Sequence, residues 1–244
     1  MTKRPLIGIL GGMGTAAGLY FQHLFFQICS ANGLSGDQDY PEWLYLNASQ
    51  APDRTAAIHQ KGPSPVPYLV RCLKRMQAAG VEAVVVPCNA AHAFYEEIIA
   101  EVEIPWIHLL NETVSEVRRC DIEQIGIIGT TGTLTSGLYQ RALAAKGIEA
   151  VEPAPDSKLQ SKIMSVIYDP EFGVKFTGTT TSEKARLLLQ EVIIELNTDA
   201  IILGCTELSV AADGLEPGIR LFDPLDIAAR VLFEVWQGVH PLKK

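Results

Sequence analysis

Short apolar runs alternate along the chain with longer segments whose apolar residues recur at helical spacing. Strands that are apolar at nearly every position, separated by helices, are typical of parallel sheets covered on both faces. The pattern predicts an α/β fold of the flavodoxin-like or Rossmann-like kind. The predicted strands are 6–10, 44–46, 83–86, 106–109, 125–128, 148–151, 200–203 and 219–222, and the predicted helices are 16–29, 67–79, 91–101, 112–119, 136–145, 182–196 and 225–236.

Two segments of this pattern occur twice, about 118 residues apart. IGILGGMGT at 7–15 matches IGIIGTTGT at 125–133 at six of nine positions, and EAVVVPCN at 82–89 has the pattern of DAIILGCT at 199–206. The duplication predicts two pseudo-symmetric domains, 1–110 and 111–212, and we expect the strand and helix of 213–244 to return and complete the first domain. Because ligands bind beyond the carboxyl ends of parallel strands, the cleft between the domains is the expected active site.

Net charge, apolar runs and cysteine spacing limit the kinds of binding partner and the cell compartment that can be expected. The 244 residues carry a formal net charge of −8 without a local cluster of Lys or Arg, so neither nucleic acid nor a membrane surface is an expected partner. No run approaches 18 apolar residues, and the apolar stretch near the N-terminus is too short for a signal peptide. Five cysteines without disulfide or zinc-site spacing fit a cytoplasmic protein with free thiols.

The first glycine-rich segment allows two interpretations. Residues 12–17 fit the dinucleotide-binding pattern G-x-G-x-x-G/A, with acidic residues following at Asp37 and Asp39. The second copy, at 129–133, occupies the equivalent place and does not fit that pattern. One loop type used twice favours two halves of a carboxylate site over a single pyrophosphate site.

The second repeated segment carries a cysteine at the same position in each of its two copies. Cys88 and Cys205 follow apolar strands directly and precede a polar residue, Asn89 and Thr206 respectively. A thiol near free backbone N–H groups at such a strand end is expected to have a lowered pKa. A lone cysteine there is more often a small core residue, but two at matched positions favour chemistry. Two equal groups facing each other across a cleft suit a reaction whose two directions are chemically alike.

Motifs in order along nearly the whole chain resemble the cofactor-independent aspartate/glutamate racemase family, and its aspartate racemases most. They are GGMGT at 11–15, SQAPDRT at 49–55, PCNAAHAF at 87–94, TTGT at 130–133, GVK at 173–175, GCTELSV at 204–210 and FDPLDIAA at 222–229. The resemblance implies two similar α/β domains with the active site between them, a homodimer, and no metal or pyridoxal phosphate.

The resemblance also implies residue roles. Cys88 and Cys205 would be the two acid/base groups on opposite faces of the substrate Cα, with Cys205 serving the L-enantiomer. Arg54 and Lys175, which the pattern places in loops, would bind the side-chain carboxylate, and Glu207 would orient the site or bind the amine, although an acid at a helix N-terminus is the simpler interpretation. The remaining residues implied in substrate binding are Met13, Gln50, Asn89, Ala90, Thr130, Thr131 and Thr206.

Ala90 is a departure, since the family commonly has threonine there, and one hydroxyl donor is lost. The histidines at 59, 92 and 108 lack metal-ligand spacing and are interpreted as local hydrogen-bonding residues. The hypothesis is therefore an amino-acid racemase acting on aspartate. Glutamate is the near alternative, followed by a hydantoin racemase or maleate isomerase, and then by a non-catalytic two-lobed binding protein for an acidic metabolite.

Overall fold

The computed structural model describes residues 4–178 and 180–241. Its strands are β1 Ile7–Gly11, β2 Trp43–Asn47, β3 Ala83–Val85, β4 Trp106–Ile107, β5 Gln124–Ile128, β6 Glu149–Val151, β7 Ala200–Leu203 and β8 Arg220–Phe222. Its helices are α1 Thr15–Ala31, α2 Arg54–Ile58, α3 Val66–Ala78, α4 Tyr95–Ile99, α5 Leu109–Arg119, α6 Thr131–Thr135, α7 Leu138–Ala144, α8 Lys158–Tyr168, α9 Val174–Thr177, α10 Glu183–Leu196, α11 Thr206–Ala212 and α12 Pro224–Gln237, with 3₁₀ turns at Asp37–Asp39 and Asn89–Phe94.

The strands form two four-stranded sheets of the same topology. The order is β2-β1-β3-β4 in one and β6-β5-β7-β8 in the other, and every pair is parallel. The central strands β1, β3 and β7 are buried at every position, as expected for sheets covered on both faces. The predicted α/β fold with two similar parallel sheets is confirmed, and all eight predicted strands are present.

One part of the predicted domain division is wrong. The last strand does not return to the first sheet; β8 pairs with β7, with Ile201 opposite Leu221. The crossover through α11 places β8 beside the strand that precedes it in the chain, which is the usual arrangement. Strand β8 therefore corresponds to β4 of the first half, at nearly the spacing of the duplication. The end residues 1–3 and 242–244 of the predicted first domain lie outside the described part of the chain.

The two helices that end the halves are exchanged between them. Helix α12 follows β8 of the second sheet but packs against α1 and against β3 and β4 of the first. Ten of its fourteen residues are buried, which is the composition of a helix covered on nearly all sides. Helix α5 follows β4 of the first sheet and packs against α7 of the second half and against α12. One apolar cluster is consequently continuous across both halves, and a second lies within the first half.

Several helices were not evident from the apolar pattern. Arg54 and Lys175, predicted in loops, lie on the short helices α2 and α9. The eleven-residue helix α8 was missed although Ile163, Val166 and Ile167 are buried at helical spacing. No helix within the described ranges is both long and apolar enough to span a membrane.

The repeated topology brings the repeated loops together. Strands β1 and β3 are neighbours, and so are β5 and β7, so that each sheet directs two loops from the same edge. In the first half these loops contain Gly12 and Cys88, and in the second half they contain Thr130 and Cys205.

The loop after β1 requires glycine at position 12. Gly12 has a φ of +91°, and a Cβ there would lie 2.5 Å from the backbone nitrogen of Ala48. Gly33 is a matched control, because its φ is +88° and a Cβ would have no neighbour within 4 Å. We expect Gly33→Ala to lower the free energy of unfolding by about 1 kcal/mol and Gly12→Ala by about 3 kcal/mol, since its added methyl also overpacks. Urea unfolding of both variants measures the difference, and equal losses would contradict it.

Candidate active site

The two cysteines line one cavity. Cys88 follows β3 and precedes the 3₁₀ turn Asn89–Phe94, while Cys205 follows β7 and precedes α11. Both are buried, with 5% and 6% of their surface exposed, so neither thiol is freely solvated. The cavity takes its walls from both halves. It is lined by Met13, Asp53, Arg54, Thr55, Cys88, Asn89, Ala90, Thr130, Thr133, Tyr168, Lys175, Gly204, Cys205, Thr206 and Glu207.

Ten of the twelve residues that the sequence singles out are therefore brought to this cavity, and two are not. Gln50 is exposed and does not line it. Thr131 does not line it either, and its hydroxyl oxygen accepts a hydrogen bond from Gln160 at 3.4 Å. Gln50 lies in the exposed turn that follows β2. Thr131 is the first residue of α6, and its hydroxyl contacts Gln160 of α8.

Glu207 connects the second-half cysteine to a lysine. Its Oε2 accepts a hydrogen bond from the Cys205 thiol at 3.0 Å, and its Oε1 accepts one from Lys175 Nζ. Glu207 is only 2% exposed. Burial alone would raise the pKa of this carboxyl, but the Lys175 ammonium and the two hydrogen bonds hold the pKa below its ordinary value. Glu207 is thus a buried carboxylate, rather than merely an acid that favours a helix N-terminus.

The pKa of the Cys205 thiol is shifted in the opposite direction from that of Glu207. Burial, followed by the negative charge of Glu207, raises its pKa well above the ordinary value of a thiol. The expected lowering of the pKa at a strand end is therefore wrong for this cysteine, because burial and a carboxylate outweigh the helix terminus. Cys205 is therefore a thiol that donates to Glu207.

Arg54 lies on the side of Cys88. Its Nη2 donates to the carbonyl of Met13 at 3.0 Å, and its Nη1 donates to the carbonyl of Pro52 at 3.0 Å. Burial disfavours the charge, but the neighbouring Cys88 sulfur, together with Asp53 and Glu207, raises the pKa of Arg54. Its Nε is buried and has no hydrogen-bond partner among the described residues. The guanidinium is therefore held firmly while one donor stays available.

The glycine-rich loop approaches the ion pair closely. A Cβ on Gly14 would lie 2.6 Å from Glu207 Oε1 and 3.4 Å from Lys175 Nζ. Any larger residue would displace these charged groups. The loop that could have been interpreted as a phosphate-binding turn is thus used here to pack the first half against the charged groups of the second.

Some cavity residues were not predicted, and Tyr168 is the largest of them. It ends α8, and its ring centroid lies 5.4 Å from Lys175 Nζ, within the range of a cation–π contact. Burial, with the Cys205 sulfur next, raises the pKa of Tyr168, so it remains a neutral phenol. The other unpredicted lining residues are Asp53, Thr55, Thr133 and Gly204. Recognising helix α8 from its apolar spacing would have drawn attention to Tyr168.

Two histidines are local hydrogen-bonding residues, as predicted. The amide of Leu109 donates to His92 Nε2 at 3.1 Å, so the proton is on Nδ1 and is donated to the Cys88 carbonyl at 2.9 Å. Burial holds the pKa of His92 well below its ordinary value, and burial lowers that of His108 to about 4. His108 Nδ1 accepts the amide of Asn111 and caps α5. Within residues 4–178 and 180–241 there is no cluster of three or more His, Cys, Asp or Glu that could hold a metal.

Comparison with known proteins identifies the family. The family model described as Asp/Glu/Hydantoin racemase matches residues 10–232, which includes every strand except part of β1. The chain belongs to the Asp/Glu/Hydantoin racemase family. A racemase is an isomerase, and small amino-acid substrates are consistent with this family.

Individual members of the racemase family show the range of similarity. The chain is 26% identical over 223 residues to the broad specificity amino-acid racemase RacX of Bacillus subtilis, covering 89% of this chain and 92% of that protein. It is 36% identical over 174 residues to the glutamate racemase of Aquifex aeolicus, covering 68% and 63%. The solved aspartate racemase of Picrophilus torridus superposes with a TM-score of 0.80 at 26% identity, covering 98% of this chain and 96% of that one.

The ion pair between Lys175 and Glu207 generates a pH-dependent prediction. Lys175→Met leaves a buried carboxylate without its cation, and we expect a loss of about 3 kcal/mol in the free energy of unfolding at pH 7.5. Because Glu207 has a lowered pKa in the folded protein, the stabilisation is present above its unfolded pKa and lost as the pH falls. In the variant, burial raises the pKa of Glu207, so the carboxyl takes up a proton and the loss shrinks toward pH 5. Urea unfolding at both pH values measures this.

Lys162→Met is the matched control, because Lys162 pairs with Glu191 and Glu195 on the exposed surface. Exposed ion pairs contribute little, so this variant is expected to unfold nearly as the wild type does at both pH values. A loss for Lys175→Met that does not depend on pH would contradict the assignment of a charged buried pair.

Proposed function

We propose that this protein racemises an acidic amino acid, with aspartate as the preferred substrate, by a two-thiol mechanism. The observation that carries the proposal is the joint presence of Cys88 and Cys205, one from each half, in the walls of one cavity that also holds Arg54 and Lys175. A binding protein for an acidic metabolite has use for the cations but none for matched thiols.

The chemistry requires one base and one acid on opposite faces of the substrate Cα. The thiolate of one cysteine removes the Cα proton, and the electron pair left behind is delocalised into the α-carboxylate. The thiol of the other cysteine then donates its proton to the opposite face, which inverts the centre and leaves the two cysteines with exchanged protonation states. By family resemblance, Cys205 takes the proton from the L-enantiomer and Cys88 takes it from the D-enantiomer. Before Cys205 can act as the base, its own proton has to pass to Glu207 Oε2, which accepts the hydrogen bond from the thiol.

Developing negative charge on the α-carboxylate has to be met by hydrogen-bond donors. Asn89, Thr130 and Thr206 line the cavity near the two cysteines and can supply them. All three are buried, with 2%, 4% and 2% of their surface exposed. Donors buried to this extent stabilise charge more strongly than the same groups would in solvent.

The balance of charge in the cavity favours a dicarboxylate. Arg54 and Lys175 are opposed there by the buried carboxylate of Glu207, while Asp53 is exposed and its Oδ1 caps α2 by accepting from Ala56 at 2.7 Å. An acidic amino acid at neutral pH has two carboxylates and one ammonium, so its binding compensates the surplus cation. Arg54 can offer Nε together with Nη2 to the side-chain carboxylate, a side-on bidentate geometry.

Glutamate is the second candidate, and a specific observation favours it. The glutamate racemase of Aquifex aeolicus is 36% identical to this chain over the aligned region. One methylene is worth only about 1–3 kcal/mol of discrimination. The likeness to the aspartate racemase of Picrophilus torridus over 98% of the chain supports aspartate as the first choice.

Incubation of the wild type with single L-enantiomers in heavy water tests the proposal. We expect L-aspartate to be converted to D-aspartate with uptake of one deuteron at Cα, and kcat/KM to be at least tenfold higher for aspartate than for glutamate, about 1.4 kcal/mol. Chiral chromatography and proton NMR measure the two products. Equal turnover of alanine, serine and aspartate would refute the role of the two cations, and turnover of hydantoins or maleate alone would indicate another reaction of the family.

Replacing either cysteine tests the thiol pair. Cys88→Ala and Cys205→Ala are each expected to lower the rate of racemisation at least 1000-fold, because each removes the acid/base group proposed for its side of Cα. Cys72→Ala is the matched control, since Cys72 is a buried thiol on α3 outside the cavity, and its activity is expected to stay within twofold of wild type. Racemisation that survives in either cavity variant would exclude the two-thiol mechanism.

The family resemblance supports three further parts of the proposal. These are a homodimer, catalysis without pyridoxal phosphate, and catalysis without metal, while a cytoplasmic location is proposed from the five cysteines that lack disulfide or zinc-site spacing. Light scattering on the purified protein gives the oligomeric state, and activity after dialysis against a chelator tests the independence from metal.

A further inference from the structure

The side chain of Asn89 combines one satisfied and one unsatisfied polar group. It is 2% exposed and lines the cavity beside Cys88. Its Oδ1 accepts a hydrogen bond, whereas its Nδ2 is buried and has no partner among the described residues. A buried donor without a partner costs about 1–3 kcal/mol, and such a group in a cavity is typical of one kept for a ligand.

The partner of Asn89 comes from the other half of the molecule. Tyr139, on α7, donates its hydroxyl to Asn89 Oδ1 at 2.6 Å. The tyrosine is 1% exposed and belongs to the core that joins the halves, so its hydroxyl cannot turn to solvent. Burial raises the pKa of Tyr139, and the phenol therefore remains a donor throughout the working pH range.

The hydrogen bond from Tyr139 favours one orientation of the Asn89 amide over the other. An amide presents its oxygen and its NH₂ group in different directions, and the hydroxyl of Tyr139 takes the oxygen. The NH₂ group is then the end left for a ligand. If the amide turned over, it would present a carbonyl oxygen toward a bound carboxylate, which is repulsive.

The first half has particular need of this donor. Its cysteine is followed by Asn89 and Ala90, whereas the cysteine of the second half is followed by Thr206 and Glu207. Ala90 lines the cavity but has no side-chain donor. Asn89 Nδ2 is consequently the side-chain donor that directly follows the Cys88 thiol.

We propose that Tyr139 is a positioning residue that holds the Asn89 amide with its NH₂ group toward the α-carboxylate of the substrate. The inference rests on the proposed racemase function and extends it to a residue outside the cavity. The carboxylate gains negative charge as the Cα proton leaves, so the hydrogen bond from Asn89 strengthens in the transition state. Tyr139 acts only by deciding how the amide is oriented.

A double-mutant cycle on Tyr139 and Asn89 tests this. Tyr139→Phe is expected to lower kcat for aspartate about tenfold with KM nearly unchanged, and Asn89→Ala about 100-fold. The double variant is expected to equal Asn89→Ala within twofold, because the tyrosine acts through the amide alone. Multiplied losses in the double variant, or a Tyr139→Phe enzyme within twofold of wild type, would overturn the proposal.

Two further variants separate orientation from stability. Asn89→Asp keeps an oxygen for Tyr139 and removes the NH₂ group, so it is expected to be as impaired as Asn89→Ala, and retained activity would overturn the proposal even if Tyr139→Phe fails to fold. Tyr45→Phe is the control, because the Tyr45 hydroxyl is also buried, has no hydrogen-bond partner among the described residues and lies outside the cavity. This variant is expected to keep the kcat of the wild type. A wild type that racemises no amino acid would refute the proposed function itself, and is distinct from an active wild type with an unaffected Tyr139→Phe.

Discussion

A carboxylate buried away from water has to be satisfied by the protein, and the arrangement of the cavity depends on how Glu207 is satisfied. Its two oxygens hold Lys175 on one side and the Cys205 thiol on the other. The first half can approach this group only through glycine, since a Cβ on Gly14 would collide with it. The same carboxylate thus positions a cation, keeps one cysteine protonated and leaves no room for a side chain at position 14.

The duplication makes the two cysteines equal in position but not in surroundings. Cys205 lies beside an anion, and burial together with that anion raises its pKa. Cys88 lies beside the Arg54 guanidinium, and its carbonyl is held by His92. A symmetric scaffold therefore carries two different electrostatic environments. In a racemase such a difference can change kcat and KM for each enantiomer, but the ratio of the two kcat/KM values stays fixed by the equilibrium between the enantiomers, which the protein does not alter.

Much of the fold and the centre of the candidate site could be predicted from the sequence. Apolar strands of four or five residues are strong local signals, and the repeated strand ends identified Cys88 and Cys205. Short polar helices carry no such signal, so Arg54 and Lys175 were placed in loops. Gln50 belongs to the motif at 49–55, but a motif does not show which of its side chains turn inward, and Gln50 is exposed. The contact of Tyr139 with Asn89 joins residues 50 positions apart from different halves, and no local pattern reports such a contact.

The exchange of α5 and α12 has a consequence for how the chain folds. Each half supplies the helix that covers part of the other half's core, so neither half has a complete core by itself. Separation of the halves would expose apolar surface on both, which makes them one cooperative unit despite their two sheets. The arrangement is that of a helix-swapped dimer whose two copies are joined in a single chain.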